Sequence, residues 1–548
     1  MSFWKIVMDR SIVSIIGAGL FSISCGLSLN RIFSAQLTIP SLAVAFLPTF
    51  IFLAIYGLGS VLYYTTENKT SFIEPKEIYD LFPLLIIPCI LFGALLLFIT
   101  GYFVHTVAFL ALFFILSLFL IIYAALLKGA AGIIVYLICL PLYLVLHWTL
   151  STQMFSDFYG LVPVSPESIA FWVLLFSFIV HKAIQREKII FSNGSALFLI
   201  LIILNMISSC YFSNSPIISL KCTILGIGVP FLFYIVATNL IKTHKDVRSL
   251  ILTLMTSSIL FIGYGFFDII RMQRTVGIWE RVDQIFTNPI LFSNVLLLFV
   301  PLFICSSMYH KESKYTDYPF YLCILGIPIL ILLLQVRAAW AGFLVSLMVI
   351  SVMEKKSRSF LLRSLPIAMG VLLLVNYHTG NIIDQRVGNA DSILTGTSFV
   401  WRVAAWGKAL EAFKTNIMFG IGPGMFSGFD RRFDLLAFKT ELAYAHNNFL
   451  SFFAEVGVFA GSILVFIFYR FIRKSYLIYR RSTDDYSKLL ALGFFSGLVG
   501  YTVSIQFGNP FVKHASDYLN FYYGHTMYLF LSFAMITVLE RMKCHEKL

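Results

Sequence analysis

The sequence predicts an all-α fold, a polytopic bundle of transmembrane helices, and three observations lead to it. The 548 residues are 59% hydrophobic and only 12% charged, whereas an ordinary soluble domain is about 25% charged. Apolar runs of about 20 residues recur from end to end, and each is long enough to cross the core of a bilayer. The runs lack the strict alternation of membrane-barrel strands, so each predicts a helix.

About 16 spans are predicted, within a range of about 12–16. They fall at 11–29, 41–63, 81–100, 102–127, 129–149, 168–182, 189–210, 216–240, 249–270, 288–308, 319–336, 338–353, 361–376, 447–469, 487–506 and 518–540.

The distribution of basic residues gives these spans an orientation. With the N-terminus inside, about two thirds of the Lys and Arg residues fall in inner segments, as the positive-inside rule requires. The formal net charge of +13 therefore belongs mostly to the inner face, and it gives no reason to expect nucleic acid as a partner. The C-terminus also falls inside. The eight cysteines form no paired motif and predict neither a disulfide framework nor a metal site.

The order of the spans divides the chain into four parts. Residues 1–250 are N-terminal transmembrane helices of unassigned role, and residues 251–376 are a second group of transmembrane helices. Residues 377–446 form a long polar loop on the outer face, and residues 447–548 are the C-terminal transmembrane helices. A loop of that length is usually functional or disordered, and its many aromatic residues favour an ordered, partly helical structure.

Within the loop, residues 401–416 predict an amphipathic helix. Arg402, Trp406, Ala409, Leu410 and Phe413 recur at spacings of three and four, which places them on one face. An interfacial anchor would explain the tryptophan. It explains Arg402 less well, because this residue lies on the apolar face.

A glycine-rich segment, residues 420–424, follows the helix. The glycines, Gly422 and Gly424 among them, allow the backbone to turn sharply and to approach another group closely. The spacing is not that of a nucleotide-binding loop. A plain tight turn and a ligand-approaching turn both fit.

The loop ends at His446 and Asn447, directly before an apolar helix. A histidine there titrates near neutral pH and could act as a base, although a lone interfacial histidine is more often a structural hydrogen-bonding group. Glu455 lies nine residues further along the chain. A carboxylate inside a membrane helix is costly, which indicates a functional or pairing role.

Outer arginines form the last group of candidates. Arg337 falls at a hinge between two closely spaced spans, where it has almost no loop to carry it into water and needs an anionic partner. Arg274 and Arg281 lie in the outer connection before residue 288. Guanidinium groups suit bidentate pairing with phosphate.

In this order the motifs resemble the O-antigen ligase and O-antigen polymerase family of bacterial envelope proteins. The resemblance covers residues 280–470 and rests on Asn288-Pro289, Arg337, Arg402 with Trp406, residues 420–426 and His446-Asn447. The sequence departs from the family pattern at two places. Ile290 replaces the second asparagine of Asn-Pro-Asn. The family also has two spaced glycines after His446-Asn447, and here Gly457 is followed by Ala460 and then Gly461, so the second glycine comes one residue late.

The resemblance implies an enzyme of the bacterial inner membrane that transfers a glycan from undecaprenyl diphosphate to an acceptor hydroxyl, without metal or cofactor. It implies that Arg337 and Arg402, with Arg274 and Arg281 nearby, bind the diphosphate, and that His446 activates the acceptor. Asn447, Trp406, Gly422, Gly424 and Glu455 would support them.

The sequence does not decide which acceptor is used. A ligase would use a lipid A core, and a polymerase would use another carrier-linked repeat. The resemblance favours the ligase slightly. A lipid-linked sugar flippase or transporter is the alternative of another class, although few polar residues lie near the predicted midplane and no internal repeat is visible.

Overall fold

The computed structural model describes residues 103–151, 166–192, 194–276, 289–309, 323–324, 326–332, 334, 336–355, 358, 397–427, 429, 445–507 and 523–545. The predicted spans at 11–29, 41–63, 81–100 and 361–376 lie outside these residues, and so does most of the loop after residue 429. The helices from residue 110 onward belong to one compact unit.

All regular structure in the described residues is helical, which confirms the all-α fold class. In chain order the helices are α1 (Phe103–Leu127), α2 (Gly129–Ser151), α3 (Pro166–Ile184), α4 (Ser195–Tyr211), α5 (Pro216–Thr223), α6 (Val229–Leu240), α7 (His244–Val276), α8 (Pro289–Ser307), α9 (Arg337–Met353), α10 (Thr397–Thr415), α11 (Asn448–Arg481), α12 (Asp485–Ser504) and α13 (Tyr523–His545). A π-helical turn, Ile224–Gly228, joins α5 to α6.

Within the described part of the chain, five helices are long and apolar enough to cross a membrane. They are Pro166–Ile184, Pro216–Leu240, His244–Gly263, Asn448–Arg481 and Asp485–Phe507. The total of about 16 spans stays a prediction.

Small residues allow α8, α9 and α12 to pack closely, as is usual between membrane helices. Gly497 of α12 lies against the Leu298 carbonyl of α8, with only 2.9 Å between that oxygen and a Cβ built on the glycine. On its other side α12 meets α9, where Ser346 Oγ donates to the Ser496 carbonyl at 3.0 Å. Gly500 packs on Gly342, nearer the start of α9. Both neighbours therefore run antiparallel to α12.

These contacts place several helix ends together. Tyr479, near the end of α11, donates to the carbonyl of Met353, at the end of α9, at 2.7 Å. Helices α8 and α9 therefore begin where α12 finishes. The start of α11 lies at the same end, because Phe449 packs on Phe468 with ring centroids 5.6 Å apart and Phe468 stacks on Tyr501 of α12. We call this end of the bundle, which carries Arg337, the Arg337 end.

The opposite end of the bundle is tied together by basic residues. Glu187 accepts from Lys182 at 2.8 Å and from Lys242 at 2.7 Å, and these hydrogen bonds lower the pKa of Glu187 to about 2. Arg541 of α13 donates to the Thr238 and Ile241 carbonyls at 2.9 and 2.6 Å. We call this the Glu187 end. The basic residues that it gathers come from predicted inner segments.

The tight contact between α9 and α12 gives the first test. A methyl group on Gly500 would collide with the backbone carbonyl of Gly342, so Gly500→Ala should lower the free energy of unfolding by about 1–3 kcal/mol through overpacking. The measurement is the thermal denaturation midpoint of the purified protein in detergent. Gly263→Ala is the control, because a Cβ on Gly263 meets nothing within 4 Å; equal midpoints for the two variants would contradict the packing argument.

Candidate active site

The predicted amphipathic helix is present as α10, but its buried face differs from the expected one. Leu410, predicted on the buried face, is 49% exposed. Ala405, Lys408, Ala409 and Ala412 are instead fully buried. Small side chains on that face let α10 pack closely on another helix rather than only rest on a membrane surface.

The partner of α10 is the first part of α11. Ala409 and Ala412 of α10 form one buried cluster with Phe426, Ala445 and Ala454. Beside this cluster, Phe413 and Phe453 make an edge-to-face contact with ring centroids 6.2 Å apart. This packing brings the helix that carries Arg402 and Trp406 to the segment that carries His446 and Glu455.

Helix α11 is not the continuous helix that the sequence predicts at 447–469. Gly457 has φ 74° and ψ −175°, which are not helical values, so the chain kinks there. A Cβ on Gly457 would collide with the backbone carbonyl of Met418. The kink thus opens α11 to the backbone of the segment that follows α10.

The glycine turn, which we define as residues 420–427, docks into this kink by backbone hydrogen bonds. Gly422 donates to the Glu455 carbonyl at 2.8 Å, and Val458 donates to the Ile417 carbonyl at 2.8 Å. Gly420 has φ 69° and no room for a Cβ against the Glu455 backbone. The expected close approach of these glycines is therefore made to α11.

The Glu455 side chain holds the same turn. Its carboxylate is buried and accepts the backbone N–H of Gly424 at 2.9 Å, and the Phe426 N–H also points to it. The Met425 N–H between them donates instead to the Gly422 carbonyl at 3.2 Å, within the turn. The pairing role predicted for Glu455 thus has a partner in the turn.

An N-terminal helix also contacts the turn. Ser208 Oγ, near the end of α4, is 2.6 Å from the Phe419 carbonyl oxygen and 3.2 Å from that of Glu455. Phe212 stacks on Phe419 with ring centroids 4.9 Å apart. Helix α4 therefore supports the turn and the kink together.

His446 lies at the start of α11 in an unusual backbone conformation. Its φ is 50°, in the left-handed region, and its side chain is half-buried. Asn447 follows as the N-cap, with its side chain accepting from the Leu450 N–H at 3.0 Å. Strained backbone of this kind is concentrated at functional sites, and the cap fixes the direction in which α11 begins.

Arg337 is the first residue of α9, at the same end of the bundle. Trp340 Nε1 donates to the Ile331 carbonyl at 3.0 Å and so holds the hinge before the helix. The Arg337 side chain is half-buried, and no other described residue makes a hydrogen bond or ion pair with it. A cation at a helix N-terminus also faces the positive end of the helix dipole. The anionic partner that the sequence requires is thus not supplied by the described part of the chain.

The other predicted site residues have fewer described contacts with the glycine turn and with His446. Arg402 and Trp406 are half-buried on α10, and the buried Trp406 Nε1 has no hydrogen-bond acceptor among the described residues. Arg274 lies in the last turn of α7, which reaches the Arg337 end, but its side chain is outside the description, and so is Arg281. Helix α9 packs mainly on α12, and the hydrogen bond that joins it directly to α11, from Tyr479 to the Met353 carbonyl, lies at the end of the bundle away from Arg337.

Three structural residues of the site were not predicted from the sequence. Lys408 is fully buried on α10, Gly457 forms the kink, and Ser208 joins the N-terminal helices to the site. The spacing of Ala405, Lys408 and Ala412 at one helical face was a visible signal for Lys408. Nothing local to Ser208 indicates its contact, which spans 211 positions of the chain.

Together, the fold and these residues define an all-helical membrane protein with its polar candidate site at one end of the bundle. Residues 321–469 match the family described as O-antigen ligase. This match confirms the predicted resemblance, and its range contains α9, α10, the glycine turn and the kink of α11. No curated protein matches the chain.

The docked kink gives a second test. Gly457→Ala should destabilise the site, because alanine at this positive φ costs about 1–3 kcal/mol and its methyl group has no space. Amide hydrogen exchange of residues 416–427 is the measurement, and faster exchange is expected. Gly263→Ala again serves as the control, and unchanged protection in Gly457→Ala would contradict the docking.

Proposed function

We propose that the protein is an O-antigen ligase-like glycosyltransferase. It moves a glycan from undecaprenyl diphosphate to a hydroxyl group of a lipid A core at the outer face of the bacterial inner membrane. The family match over residues 321–469 supports this reaction class, and the match contains the arginines and the histidine that the chemistry needs.

The observation that carries the proposal is the half-buried guanidinium of Arg337, which lacks an anionic partner among the described residues. It lies at the end of the bundle where α8, α9 and α11 all begin. The N-terminal ends of these helices carry partial positive charge, so they add to the attraction for a phosphate group. A diphosphate at the membrane surface would fit this environment.

In the proposed reaction, Arg337 and Arg402 bind the diphosphate and stabilise the negative charge that grows as it leaves. His446 accepts the proton of the acceptor hydroxyl. The acceptor oxygen forms a bond to the anomeric carbon while the bond from that carbon to the diphosphate oxygen breaks. A single displacement of this kind inverts the anomeric configuration, and it uses neither a metal nor a cofactor.

The proposal also includes an orientation. The Arg337 end faces the periplasm, and the Glu187 end, with both termini, faces the cytoplasm. The basic residues at the Glu187 end support this assignment through the positive-inside rule. About 16 spans would then place residues 377–446 outside, in contact with the lipid-linked donor and the surrounding lipids.

Binding of undecaprenyl diphosphate to the purified protein in detergent tests the arginines apart from any acceptor. Arg337→Ala and Arg402→Ala should each weaken binding about tenfold to a hundredfold, because a hydrogen bond to a charged group contributes about 1.5–3 kcal/mol. Arg358→Ala is the control, since Arg358 is exposed beyond the far end of α9 and donates to the Ser351 carbonyl at 3.1 Å. Wild-type affinity in both site variants would refute diphosphate binding there.

Transfer assays in proteoliposomes test His446. His446→Ala should lower kcat about 100-fold to 10,000-fold through loss of the general base, while undecaprenyl diphosphate still binds. The exposed His244 at the start of α7 provides the control, as His244→Ala. Glycosylation of lipid A core supports the ligase, and extension of a carrier-linked repeat supports the polymerase. Movement of lipid-linked sugar across the bilayer without glycosylation would favour the transporter and overturn the proposal.

A further inference from the structure

We infer that Lys408 is a positioning residue, which works with Glu455 to hold the glycine turn from two sides and so fixes α10 against α11. Its effect on catalysis rests on the proposed function, whereas its effect on the turn does not. The inference starts from two buried ionisable side chains that contact the same short segment.

On the α10 side, Lys408 has no exposed surface. Its ammonium group donates to the Ser427 carbonyl at 3.1 Å and lies 5.4 Å from the centroid of the Phe426 ring. A carbonyl oxygen and an aromatic face are both favourable partners for a desolvated ammonium group. Lys408 therefore holds the last residues of the turn.

On the α11 side, Glu455 is 3% exposed and accepts from Gly424 at 2.9 Å. The carboxyl group of Glu455 thus contacts N–H groups in the middle of the turn, and the ammonium group of Lys408 contacts a carbonyl at its end. Backbone N–H and C=O groups have fixed directions. The turn cannot slide or rotate between the two helices without breaking one of these contacts.

Burial of two ionisable groups would be a costly way to provide stability alone, because apolar side chains of similar size pack without that desolvation. The contacts instead specify the geometry of one segment. Arg402 lies about 1.7 helical turns before Lys408 on α10, and Glu455 lies in the part of α11 that His446 precedes. A loosened turn would therefore change the position of Arg402 relative to His446.

The variants are chosen to separate charge from packing. Lys408→Met keeps most of the side-chain volume and removes the ammonium group. Glu455→Gln is nearly isosteric and keeps an oxygen that can accept from Gly424, while Glu455→Leu removes that acceptor. Lys414→Met is the matched control, because Lys414 is on the same helix, is 66% exposed and pairs only locally with Glu411 at 2.7 Å.

Amide hydrogen exchange of residues 416–427 in the full-length protein is the first measurement. Lys408→Met and Glu455→Leu should exchange faster there, while Lys414→Met matches the wild type and Glu455→Gln lies between. Wild-type exchange in Lys408→Met would overturn the inference even if the protein is an active transferase. Faster exchange would support the two-sided contact even if no transfer is found.

Kinetics with an undecaprenyl-diphosphate-linked glycan and lipid A core then test positioning. Lys408→Met should lower kcat about tenfold or more with little change in KM, because the aligned transition state is lost while ground-state binding is kept. Glu455→Gln should keep more activity than Glu455→Leu. Full kcat in a folded Lys408→Met variant, or an equal loss in Lys414→Met, would overturn the positioning role. If Lys408→Met fails to fold, the positioning role is tested by comparing Glu455→Gln with Glu455→Leu, and equal kcat in these two variants would overturn it.

Discussion

The site depends on one backbone-to-backbone contact, the docking of the glycine turn into the kink of α11. Gly457 has no side chain to keep the Met418 carbonyl away, and Gly420 has none to displace the Glu455 backbone. The resulting hydrogen bonds, from Gly422 to Glu455 and from Val458 to Ile417, satisfy polar groups that a kinked membrane helix would otherwise leave without partners. This contact adds directed hydrogen bonds to the apolar packing of Ala409 and Ala412 on Ala445 and Ala454, and together they fix α10 relative to the His446 segment.

The same contact gives the N-terminal half of the chain a structural role. Helix α4 ends against the turn, where a Cβ on Gly422 would approach the Ser213 Cβ to 2.5 Å. Ser208 and Phe212 add a hydrogen bond and a stacked ring on Phe419. The matched family segment begins only at residue 321, yet the site inside it is supported from outside. A core limited to residues 321–469 would lack that support.

The sequence predicts features that depend on local pattern and fails for those that depend on distant contacts. Helix α10 and the hinge at Arg337 follow from periodicity and span length, and the sidedness of the basic residues follows from the positive-inside rule. The kink at Gly457 does not, because apolar residues continue on both sides of it. The buried face of α10 was misassigned at Leu410, since only the partner helix decides which small residues face inward. The spacing of Ala405, Lys408 and Ala412 places Lys408 on the face with small residues, but its partners, Ser427 and Phe426, come from the turn and are not visible in that pattern.

The contacts between Glu455 and the glycine turn also restrict where an anionic substrate can bind. A glycine-rich turn with free N–H groups would be a ready anion site, but here Gly422 and Gly424 already donate to Glu455. An external phosphate at the turn would have to displace the buried Glu455 carboxyl group from these N–H groups. Attraction at the Arg337 end therefore comes from the arginines and the starts of α8, α9 and α11. The glycines serve recognition indirectly, because they hold α10, with Arg402, against the helix that begins after His446.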